Sequence, residues 1–248
     1  MIYIVKKLSI LMVFLSYSGQ GFSKSGGDTF FIEISRRLLS KGHKVSILTT
    51  SNGAKLIKNE ELETAMYIIN MPLIGRIPFF FDYFWRVFLC ILKIKQSHFL
   101  IFDLIISTSP LLPNIIISYF LFVILKAKPV IYHHGFVTPL MLSRYNLLTR
   151  FLAISIQRKF LTQVLKKASF RIFALPSVKE ELLNLGISRK MIRNMSNGID
   201  TKVIDQVKAK QQLFDGVFMG SLIPRKGIFD LPVIWKKVTE VFSQANLQ

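Results

Sequence analysis

LSILMVFLSYSGQGFSKSGGDTFFIEISRRLLSKGHKVSILTT, residues 8–50, reads as a strand, a glycine-rich loop, a helix and a second strand. Leu8–Leu15 is apolar almost throughout, as a strand covered on both faces must be. The loop that follows carries Gly19, Gly21, Gly26 and Gly27. Ser25-Gly26-Gly27-Asp28 has the spacing of a capping box, which predicts a helix start. Phe30, Phe31, Ile34, Leu38 and Leu39 then recur at helical period, with Glu33, Arg36, Arg37 and Lys41 on the other side. Gly42 suits a helix C-cap and Val45–Thr49 the next strand. The three elements form a βαβ unit, which implies a parallel sheet with a right-handed crossover. Lys6 and Lys7 ahead of Leu8–Leu15, with Ser16, Ser18 and Gly19 after it, also fit a signal peptide. The strand reading is preferred, because cleavage there would delete the first strand of the sheet.

The alternation continues outward. Tyr67–Met71, Asp103–Ser107, Val130–His133, Phe170–Leu175 and Met191–Met195 read as strands. Leu112–Leu125, about Leu140–Lys167, and Val178–Leu185 with Ser177 as its cap read as helices. This is a doubly wound α/β domain. After Asp200 come a strand-like Val217–Met219 and a helix from Asp230, with an apolar tail that includes Trp235 and Phe242. One βα unit cannot bury its own apolar faces, so residues 199–248 read as the start of a second domain and 1–198 as the first.

Composition narrows the partners. Lys and Arg number 33 against 14 Asp and Glu, a net charge of +19. Such a balance calls for anionic lipid, nucleic acid or a phosphorylated substrate. Cys90 is the single cysteine, which excludes an intramolecular disulfide and a cysteine-based zinc cluster. The longest apolar stretch, Leu111–Leu125, contains Pro113 and Asn114 and is too short to span a membrane.

Four places carry candidate chemistry. GVFMGSLIPRKG, residues 216–227, sets Arg225 and Lys226 at a strand-to-helix corner. Two cations there can meet a diphosphate that the helix start also favours, or they can simply form a solvated turn. Gly26 and Gly27 let a ligand approach the backbone at a helix N-terminus, although Lys24 stands where a dinucleotide fingerprint needs its third glycine. His133-His134-Gly135 ends a strand at the edge where open α/β sheets bind ligands, and only one of the two histidines can face that crevice. Their spacing does not suit zinc. Finally, Ile77–Lys95 surrounds Asp82, Arg86 and Lys93 with aromatic and aliphatic residues, among them Phe80, Phe84 and Trp85. It reads as a segment lying in a lipid interface, with an ordinary core helix as the alternative.

Six segments, in order, resemble the family-4 glycosyltransferases, retaining enzymes of the GT-B fold. They are LSILMVFLSYSG, GGDTFFIEISRRLLSKGHKVSILTT, PVIYHHGF, FALPSVKEELLNLGI, SNGID and GVFMGSLIPRKG. The resemblance implies two facing Rossmann-like domains, with a nucleotide-sugar donor held mainly by the second and the acceptor against the first. It implies that Gly26 and Gly27 lie close to the donor phosphates. It also implies that His134 contacts the transferred sugar and that Lys226 neutralises the leaving diphosphate. Ser221 stands where the family often has an arginine, a loss for which Arg225 can compensate. No cofactor and no bound metal are implied. The family's Glu-x7-Glu donor motif would lie beyond Gln248, so the chain is expected to be truncated in its donor domain and inactive by itself. The expected partners are a nucleotide sugar, a glycan or lipid-linked acceptor and an anionic membrane surface, not nucleic acid. The expected place is the cytoplasmic face of the membrane. The alternatives are an inactive remnant of this fold and a basic, non-enzymatic protein that coats membrane or nucleic acid.

Overall fold

A computed structural model of the chain describes residues 6–15, 25–70, 79–96, 101–138, 147–167, 170–196, 198, 201–206, 214–220, 222 and 226–246. It divides into two units, residues 1–197 and 198–248. The first unit holds seven strands: β1 (Ser9–Phe14), β2 (Lys44–Thr50), β3 (Ala65–Ile69), β4 (Leu104–Ser107), β5 (Lys128–His133), β6 (Arg171–Ala174) and β7 (Ile192–Asn194). All neighbours pair in parallel, in the order β3-β2-β1-β4-β5-β6-β7. The order reverses between β1 and β4, so the crevice for a ligand opens at the C-terminal ends of those strands.

Helices cover both faces. Ile10, Met12 and Phe14 of β1 pack with α1 (Gly26–Ser40) and α2 (Ser51–Asn59). Leu11, Val13 and Leu15 face α3 (Phe79–Gln96) and α4 (Leu112–Leu125) on the other side. Alternate residues of one strand thus enter two cores, which is why the strand reads as an unbroken apolar run. A third cluster joins β5, β6 and β7 to α5 (Leu147–Lys167) and α6 (Pro176–Asn184). The doubly wound α/β sheet is the architecture expected from the βαβ pattern.

The capping box is present: Asp28 N–H donates to Ser25 Oγ at 3.2 Å, and Ser25 N–H donates to the Asp28 carboxylate at 2.8 Å. Two local expectations change. Ser177 does not cap α6; Leu175 holds that position without a side-chain hydrogen bond, and Pro176 opens the helix. Proline suits the first turn, where its missing N–H costs nothing. The helix α2 was not foreseen.

The second unit contains α7 (Thr201–Asp205) and α8 (Leu231–Val241). Val217–Met219 is not a strand, a correction to the sequence reading, and Val217 and Met219 are exposed. Among the described residues of this unit no strand is available to pair with it, and an unpaired strand has no ladder to hold it. A short clasp stands in its place: Asp215 N–H and Gly216 N–H donate to the Asn246 carbonyl at 2.9 and 3.1 Å.

Candidate functional site

The C-terminal edge of the first sheet is organised around the backbone N–H and carbonyl of Leu15. Leu15 N–H donates to Asn114 Oδ1 at 2.8 Å, and Leu15 O accepts from Arg86 Nη1 at 2.6 Å. Asn114 Nδ2 donates in turn to Thr108 Oγ1 at 3.1 Å and Ser109 Oγ at 2.9 Å. Thr108 Oγ1 donates back to Val13 O at 2.8 Å. Arg86, Asn114 and Thr108 are all buried. Three elements, α3, α4 and the end of β4, therefore clamp the chain just past the end of β1. Buried polar groups of this kind hold one arrangement because every alternative leaves donors or acceptors unpaired.

Gly26 and Gly27 stand in the first turn of α1. Neither has a positive φ. A Cβ on Gly26 would meet nothing within 4 Å, and one on Gly27 would meet only Ser25 Oγ at 3.6 Å. The described protein therefore has room for side chains at both positions. The first N–H groups of a helix also have no partner within it. Gly26 and Phe30 lie four residues apart and share a face of α1. Phe30 stands edge-on to His134, with ring centroids 5.0 Å apart and planes at 81°, and edge-on to Tyr132 at 5.5 Å. Gly26, Gly27 and His134 are thus gathered at one edge.

The adjacent histidines part company, as alternation along a strand requires. His134 faces α1 and is half-buried, and its Nε2 has no hydrogen-bond partner among the described residues. Burial holds its pKa below the ordinary histidine value, so the ring is neutral at pH 7. His133 is fully buried on the other side of the strand against Phe136, at 4.5 Å between centroids. Burial first, and then the neighbouring His134, push its pKa down to about 3. His43 lies at the opposite edge, where Nδ1 accepts from Leu8 N–H at 3.2 Å.

Of the remaining candidates, Ser221 and Arg225 lie outside the described residues, as does the Phe80 side chain. Lys226 belongs to the second unit. It is exposed and precedes Gly227, whose φ of 78° turns the chain into α8. Phe84 is 64% exposed, whereas Trp85 is half-buried and stacks on Phe88 at 5.5 Å. Arg86 is 3% exposed. It is an internal clamp of Leu15, not a cation presented at the surface of α3. Among the described residues no group of three or more His, Cys, Asp or Glu could hold a metal ion.

The model of glycosyltransferase family 4 matches residues 24–203, a span that includes Gly26, Gly27 and His134 and stops short of Lys226. The chain belongs to glycosyltransferase family 4. Among solved structures, the glycotransferase of kitacinnamycin is similar at 12% identity and a TM-score of 0.47. The likeness covers 87% of this chain and 59% of that one, so this family member spans 59% of that protein's length. The bulky-bulky ketone specific alcohol dehydrogenase from Comamonas testosteroni is similar at 10% identity and a TM-score of 0.37, over 84% of this chain and 98% of its own. A search of curated proteins finds no match.

Proposed function

We propose that this family-4 member transfers a sugar, with retention, from a nucleotide sugar to a lipid-linked or glycan acceptor at the cytoplasmic membrane surface. The bond from the anomeric carbon to the diphosphate oxygen breaks, and its electron pair leaves on the diphosphate. An acceptor hydroxyl bonds to the same face of that carbon and gives up its proton to the departing diphosphate oxygen. The observation that carries the reading is His134, a neutral imidazole whose Nε2 has no partner among the described residues, set against Phe30 of α1 at the sheet's C-terminal edge. A neutral ring can donate one hydrogen bond and accept another, which suits a sugar hydroxyl. The open space over Gly26 and Gly27 and the helix start beneath them suit a phosphate oxygen. Lys226 would offset the charge that grows on the leaving diphosphate.

The lipid part of the reading rests on α3 and α5. Phe84, Phe88 and Leu92 recur every four residues as one exposed stripe. Leu148, Phe151 and Leu152 are exposed on the first turns of α5. With α4 between them, both helices cover the same side of the sheet and both start from its C-terminal edge. No helix among the described residues is long and apolar enough to cross a membrane, so the stripes suit an interface and not a span.

The test offers UDP-, GDP- and ADP-sugars, one at a time, with anionic vesicles carrying a membrane lipid extract. Release of nucleoside diphosphate and transfer of labelled sugar are both followed. With the chain joined to the donor domain of a family-4 relative, one donor should be consumed, with His134→Ala and Lys226→Ala abolishing release and His43→Ala sparing it, while the chain alone should release little. Release from no donor, or equal losses in all three variants, would overturn the assignment.

A further inference from the structure

We propose that a second anion site, for a multiply charged phosphate group, lies at the N-terminal edge of the first sheet. A cavity of about 310 Å³ opens there between the end of α4, the starts of β5 and β6 and the end of α5. Lys126, Lys128, Lys167 and Arg171 line it, with Phe122 and Pro129 among its apolar members and no acidic residue in its wall. All four cations are exposed. Arg171 Nη1 is steadied by the Lys190 carbonyl at 3.1 Å. Among the described residues the side chains of Lys126, Lys128 and Lys167 make no hydrogen bond or ion pair. Asp103, close enough for Lys128 to help lower its pKa, is committed to Ser9 N–H and Lys6.

Lys126 is held against backbone preference. It caps α4 with φ 51° and ψ 19°, the left-handed conformation that glycine adopts without strain. The side chain is present at a place where local conformation argues for none. The carbonyl ends of α4 and α5 lend partial negative charge to this edge. Three ammonium groups and one guanidinium around a single hollow still leave several positive charges to satisfy. A pyrophosphate or phosphomonoester carries enough charge and enough acceptor oxygens to bridge them, whereas one carboxylate does not. The site lies across the sheet from His134 and is independent of the glycosyl-transfer reading.

Calorimetric titration with inorganic pyrophosphate tests it on the whole protein. The parent should bind one equivalent saturably. Lys126→Gly should weaken binding about ten-fold, the loss of one charge-assisted hydrogen bond, while thermal stability stays the same or rises because the strained residue is relieved. Lys128→Gln should weaken binding similarly, and the charge-matched control Lys55→Gln on α2 should change it less than about two-fold. No saturable binding, or an equal loss in the α2 control, would overturn the proposal. Co-sedimentation with phosphatidylcholine vesicles containing phosphatidic acid separates the sources. Pelleting that falls in Lys126→Gly and is competed by pyrophosphate assigns the phosphate to a lipid headgroup. Pelleting unchanged while pyrophosphate binding is lost assigns it to a free phosphate.

Discussion

Arg86→Met removes one arm of the clamp at Leu15, and its cost can be worked from the contacts. The substitution leaves the Leu15 carbonyl without its 2.6 Å donor in a buried setting. An orphaned buried acceptor costs about 1–3 kcal/mol. Methionine keeps most of the aliphatic volume, so little cavity is added. Removing the buried charge returns part of its desolvation cost, which places the net loss near 2 kcal/mol. For a unit of this size that corresponds to about 4–8 °C in Tm. Far-UV circular dichroism on heating measures it, with exposed Lys93→Met on the same helix as the control, expected within about 1 °C. An Arg86→Met variant that melts with the parent yet loses vesicle binding would refute the clamp and return Arg86 to the headgroups.

His133 should make stability pH-dependent. Above about pH 6.5 it is neutral in both states. As pH falls from there toward about 3, the unfolded chain takes up a proton that the buried ring refuses. Stability should drop by about 1.4 kcal/mol per pH unit in that window. His133→Leu should flatten this slope in urea unfolding, and an unchanged slope would remove His133 as the cause. Gly53→Ala should cost about 1–3 kcal/mol, because a Cβ there collides with Thr49 Oγ1, itself bonded to the Phe14 carbonyl at 2.8 Å. Pairing it with Thr49→Ala should recover part of the loss in the same assay, and strict additivity would contradict that contact. Phe84→Ser/Phe88→Ser should leave Tm nearly unchanged while reducing co-sedimentation with anionic vesicles; equal pelleting would count against an interfacial α3.

The sheet was legible where strands are buried on both faces. Ser9–Phe14 and Lys44–Thr50 leave few other readings, and the Ser25/Asp28 box marks its helix by local spacing alone. The helix α2 was not, because Thr50 ends a strand and caps the helix at once. Its side chain accepts from Gly53 N–H at 3.2 Å, so no loop separates the elements. Arg86 could not be placed from its neighbours in sequence, since its partner lies 71 residues away. Asn114 did leave a trace: an amide inside an otherwise apolar helix must find partners when that helix is buried. Read that way, it points to a polar junction at the C-terminal edge. His134 was legible as half of a pair, but which ring faces the crevice depends on the register of β5 against its neighbours. Val217–Met219 has strand composition, yet composition cannot supply the neighbouring strand a ladder needs.

The most direct measurement of the account is steady-state transfer of labelled sugar by the chain joined to the donor domain of a family-4 relative, as parent and as His134→Ala, under the same saturating donor. The prediction is a fall in kcat of at least about 100-fold, near 2.7 kcal/mol of lost transition-state stabilisation, with unfolding midpoints that agree. Turnover by His134→Ala equal to that of the parent would contradict the claim that glycosyl transfer takes place at this edge of the sheet.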